Sequence, residues 1–188
     1  MTLNEARDLL LSNLPDATVL EQSVEDWKGP FPLPEKVAHY YAKVGPVELE
    51  IWGYGNPWYV PSLAELWDLQ AGYRYNAETN ERDDEWKDNW LVVAYDGGDP
   101  FIFDTNAEII LHDLHGQGVW DPKPLFEDLG EMISVFAVLG GIRVRAGERL
   151  TDDHGVSPQY LHQASSALQT ILGNQGRAIT VLEGLGWQ

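Results

Sequence analysis

The stretch "WLVVAYDGGDPFIFD", Trp90 to Asp104, limits the fold more than any other part of the chain. A nearly continuous apolar run, Trp90 to Tyr95, meets two adjacent glycines and then a second apolar run, Phe101 to Phe103. Gly97 and Gly98 supply the positive φ that a tight hairpin needs, and Asp96 and Asp99 flank them as turn residues. Pro100 sits at a strand's first residue, where its missing N–H is tolerated. Glu108 to Leu111 reads as a third strand, so the middle of the chain is expected to be an antiparallel meander.

Helical patterns flank this block. Thr2 with Glu5 forms a capping-box pattern, and Leu3, Ala6, Leu10 and Leu14 recur on one face, which predicts a helix over about 3–13. "LPEKVAHYYAKVG" carries an early proline and predicts a short helix stopping near Gly45. "VELEIW" alternates as a strand with one wet face. Ser62 with Glu65 predicts a capped helix through "SLAELWDLQAGY", with Leu63, Leu66 and Trp67 as its buried side. Residues 76–89 hold six acids and two bases and no aliphatic side chain larger than alanine, and they read as a solvated connector. "LFEDLGEMISVFAVLGG" returns to helical spacing, with the Gly140-Gly141 pair as its expected stop. Ser157-Pro158 to Gly173 reads as one more helix in a carboxyl-terminal extension over 148–188. Helices flanking sequential strands argue for one α+β domain spanning 1–188, with a central, largely antiparallel sheet, rather than a βαβ parallel sheet.

The six residues Asp96, Asp99, Asp104, His112, Asp113 and His115 raise the question of a metal-dependent hydrolase built on Asp96, Asp99, His112 and His115. "DGGDPFIFDTNA" lacks the alternating oxygen ligands and final glutamate of a calcium loop. His112 and His115 are three apart, and strand geometry sends such a pair to opposite faces unless the backbone turns. The reading favoured is turn chemistry, with no metal and no cofactor. No nucleophile elbow, phosphate loop or zinc-helix motif is present, and cysteine is absent. The chain is therefore read as a binding protein rather than an enzyme.

Twelve basic against thirty acidic residues give a net charge of −18. That field repels nucleic acid and anionic lipid and attracts a basic protein partner. Without cysteine there is no disulfide framework, and the amino terminus lacks a secretory pattern, so a cytoplasmic location is expected. "WGYGNPW" and the residue after it offer Trp52, Tyr54, Trp58 and Tyr59 around flexible glycines, either as a gripping loop or as cover for the sheet edge or core. In the acid run, Trp86 beside Asp83, Asp84 and Glu85 is the less ordinary feature.

The order of the "LPEKVAHYYAKVG" helix, the "PSLAELWDL" segment, the strand pair around "VVAYDGGDPFIFD" and the later "LFEDLGEMI" segment resembles the SUKH superfamily. That superfamily includes yeast cell-wall regulators and many bacterial immunity proteins. The resemblance covers about 33–139, departs from it at Gly45-Pro46, and does not reach the tail beyond Gly147. It implies an α+β domain that works by binding, often by neutralising a toxin, commonly a nuclease. Trp52, Tyr54, Trp58, Asp83, Asp84, Glu85 and Trp86 are the expected partner-binding residues. A regulatory scaffold binding an ordinary cellular protein is the alternative.

Overall fold

The computed structural model describes all 188 residues. Five helices and a six-stranded antiparallel sheet make an α+β fold. The strands follow chain order across the sheet: β1 (Leu49–Trp52), β2 (Pro57–Val60), β3 (Trp90–Asp96), β4 (Asp99–Asp104), β5 (Ile109–His112) and β6 (Lys123–Phe126). Such a meander puts the β1–β2, β3–β4 and β5–β6 turns at one end of the sheet. Gly97 and Gly98 form the two-residue β3–β4 turn with φ of 55° and 110°, as the glycine pair predicts.

Helix α1 (Leu3–Asn13) has the capping box expected from Thr2 and Glu5. It packs with α3 (Leu129–Ala146) on one face of the sheet, and α2 (Glu35–Lys43) joins them. Helix α3 is buried almost all round because the sheet, α1 and α4 (Pro158–Leu172) press on it from different sides. The expected stop at Gly140-Gly141 is not one: α3 continues to Ala146 and ends where Gly147 takes a φ of 58°. A Cβ on Gly140 would lie 2.6 Å from the Ile51 side chain, and one on Gly141 would lie 2.6 Å from Asn13. These glycines let β1 and α1 approach the helix closely.

Three more expectations change. Leu125 and Phe126 belong to β6 and not to the following helix, whose cap is Asp128 accepting from Glu131 N. Ser62 opens no regular helix; the chain makes turns and a short 3₁₀ segment at Asp68–Gln70. There the Leu63 N–H is taken by Gln22 Oε1, Leu63 and Leu66 sink into the main core, and Gln70 is drawn onto the edge of β3. A further helix, α5 (Gln175–Gly184), follows α4 after Gly173 and packs on α4 and β6. The carboxyl-terminal residues thus share one core with the sheet, from Ala6 to Trp187.

The other face of the sheet is covered by chain without regular structure. Trp86, Trp90, Val92, Ile102 and Leu111 form a second buried cluster, with Leu69, Tyr73 and Trp120 packed against it. The β3 run is therefore apolar at every position from Trp90 to Ala94 because both of its faces are dry. Before Tyr95, β3 has no partner in β2, and side chains complete its edge instead. Gln70 donates to Val92 O and accepts from Val92 N, while Arg74 and the Trp86 indole both donate to Trp90 O.

Candidate functional site

Four of the six polar residues of 96–115, Asp99, Asp104, Asp113 and His115, serve turns and loops. Asp104 Oδ1 accepts from Asn106 N, Ala107 N and the Asn89 amide, closing the β4–β5 turn. Asp113 accepts from Leu114 N and Asp121 N, closing the β5–β6 loop on itself. Asp99 accepts from His115 N and pairs with the His115 ring, which fastens that loop to the β3–β4 turn. The His112 ring stacks on Phe101 at 4.3 Å, and its Nδ1 lies 3.1 Å from Pro100 O. Burial lowers the His112 pKa and favours the neutral ring, so that Nδ1–H donates to the carbonyl. No three or more acids and histidines converge as a metal-ion site.

Asp96 differs from the other carboxylates in this group. Burial lifts its pKa to about 6, and the Asn56 amide offsets only part of this effect. The nearby Trp58 indole N–H is left without a hydrogen bond of acceptable geometry. Tyr73, whose hydroxyl donates to Gly98 O at 2.7 Å, also has its pKa raised by burial, to about 12.

The expected partner-binding residues fall into three environments. Trp58 is 0% exposed and stacks on Phe136 at 4.6 Å, inside the helix-side core. Trp86 is 1% exposed and packs edge-on against Trp90 and Trp120. Neither ring can reach a partner, which corrects the expectation for both. Trp58 points inward because strand alternation puts it with Ile51, its register partner; Trp86 is pulled in because the far face of the sheet needs apolar cover. Tyr54 is half-buried against the core near Gly155. Asp84 and Glu85 are exposed, and Asp83 caps their turn by accepting from Glu85 N. Trp52, at 53% exposure, stands in solvent.

Around Trp52 and Tyr59 the sheet adds Glu50 and Tyr95, which the sequence pattern did not place beside them. Glu50, Tyr59 and Tyr95 are direct cross-strand neighbours on β1, β2 and β3, so they share the outer face with Trp52. The Tyr59 and Tyr95 rings lie 5.2 Å apart. The Tyr59 hydroxyl donates to Glu65 at 2.8 Å. Burial first, then Glu65 and Glu48, push the Tyr59 pKa well above the usual phenol range. Three aromatic rings and three glutamates thus share the β1–β2 corner, where the tryptophan-rich cover does not extend. The signal in the sequence is the alternation Glu48-Glu50-Trp52 together with Tyr59, legible once Pro57–Val60 is taken as a strand rather than a loop. No family model, curated protein or solved structure matches the chain.

Proposed function

We propose that this protein is a non-enzymatic binding domain that covers a basic surface on a protein partner, acting as an immunity protein against a nuclease-type toxin inside the producing cell. The net charge of −18 carries this reading. A nuclease needs a basic surface to hold its substrate, and an acidic protein can occupy that surface with complementary potential and fast association. Two further features support it. The segment order over about 33–139 resembles the SUKH superfamily, and the corner of Trp52, Tyr59 and Tyr95 offers rings for cation contacts beside Glu48, Glu50 and Glu65. Asp84 and Glu85 belong to the same acidic field and act on the encounter more than on the bound state.

The test is capture of the partner from the source cell, followed by association kinetics at two salt concentrations. The partner is expected to be basic. Its kon should fall as salt rises, because screening shortens the field's reach to about 8 Å at physiological ionic strength. Reversing Asp84 and Glu85 to lysine should slow kon with little change in koff. An acidic partner, or an association rate indifferent to salt, would sink the electrostatic reading and turn attention to a regulatory scaffold with an ordinary cellular partner.

A further inference from the structure

The two edges of the sheet are finished differently. At β6, Pro124 interrupts the row of donors, and α5 lies alongside, with Gly184 against Leu125 and Arg177 paired to Glu127. At β1, the only strand partner is β2, and no hydrogen bond from elsewhere in the chain reaches the backbone of Leu49 to Trp52. A short pairing line runs just ahead of it, with Leu20 N donating to Gly45 O and Val47 N to Thr18 O, and it stops there. Glu48 then takes a φ of 49°, rare for a residue with a Cβ, and turns the chain into β1. Four residues of edge follow with no proline and no lysine, and α3 meets β1 through the inward-facing Ile51.

We infer that the free edge of β1 takes an extended, basic segment of the partner as a seventh strand. This rests on the binding reading above and names how the partner is held. Backbone pairing would supply the affinity, and the side chains of β1 would supply the choice. Leu49 and Ile51 point into the core, while Glu50 and Trp52 point outward. On an added strand, every second side chain therefore lies beside a carboxylate and an exposed indole, a setting that suits lysine or arginine. The same charge argues against a second copy of this chain at the edge, because β1 against β1 would bring two Glu50 carboxylates together between bodies of net charge −18 each.

The test uses the full chain and an eight-residue fluorescent peptide alternating lysine and valine. Two versions of the peptide are N-methylated at alternate residues, one in each register, so that charge is kept and half of the donors are removed. Saturable binding by anisotropy is expected, with one methylated register weakened by about tenfold or more and the other little changed, since only one set of N–H groups faces β1. Glu50→Lys should weaken the unmethylated peptide, and the amide resonances of Leu49 to Trp52 should move on binding. Absence of saturable binding, or equal binding of all three peptides, would overturn strand addition. Equal binding would still leave a basic partner attracted by charge, whereas an acidic partner in the capture experiment would remove the binding reading itself.

Discussion

The outer face of the sheet has a sealed half and an open half, and both are built from aromatic residues. Over β3–β5, Trp86, Trp90, Trp120 and Tyr73 interlock at ring separations of 5.3–5.9 Å and exclude water. Over β1–β2, Trp52 stands in solvent, with Tyr59 and Tyr95 half-buried behind it and carboxylates around them. The difference comes from the chain between β2 and β3. That segment leaves β2 and passes through the 3₁₀ turn, where Gln70 bonds the β3 edge. It then lies across β3–β5 and leaves β1–β2 bare. Ring type therefore does not separate structural from binding aromatics here; the path of a connector does.

The sealed half should break first and hardest. Trp86→Ala removes a fully buried ring and its bond to Trp90 O, and should cost about 3–5 kcal/mol of stability by denaturant unfolding. A loss below about 1 kcal/mol would mean that the cover is loose, and that Trp86 is free to reach a partner after all. Gln70→Leu keeps the bulk but leaves the Val92 N–H and C=O unpaired beside a dry cluster. It should cost about 2–4 kcal/mol, with faster hydrogen exchange at Val92. Retained protection there would show that something other than Gln70 closes the edge.

The end of β3, where Asp96 pairs with Trp58 of β2 at the seam between the two halves, should respond to pH. Burial holds the Asp96 carboxyl at about 6, against 3.8 for the unfolded chain, so the native state binds the proton more tightly. The stability from this group is fully present below about pH 4 and is lost as pH rises through about 6. Asp96 is partly exposed, and with solvent screening the swing should be about 1 kcal/mol. Asp96→Asn should flatten that part of the profile and stabilise the protein near pH 7; an unchanged slope between pH 4 and 6 would refute the assignment. The smallest effect is expected in the open half. Trp52→Ala should change the unfolding midpoint by less than about 0.5 kcal/mol while weakening partner binding. A large stability loss would place Trp52 with the structural rings.

Much of this fold was legible from local pattern. The Thr2–Glu5 box, the Gly97-Gly98 turn and the apolar alternation of the meander each act over a few residues, so the sequence alone determined α1, the β3–β4 hairpin, the third strand to within a residue, and the α+β class. Asp96 and Asp99 flank that turn as the pattern placed them, but the reach of Asp99 to His115 was not legible there. What only the tertiary structure decided lies where a distant partner outweighs the local signal. Gly140 reads as a helix stop until Ile51 is packed against it, and Ser62 reads as a cap until Gln22 takes the Leu63 N–H. Trp86 reads as a surface anchor among acids until the bare face of β3–β5 draws it in. Burial of an indole is worth a few kcal/mol, and Asp84 and Glu85 keep their solvent when the Trp86 ring turns inward, so contacts remote in sequence settled which tryptophans are core and which one faces outward.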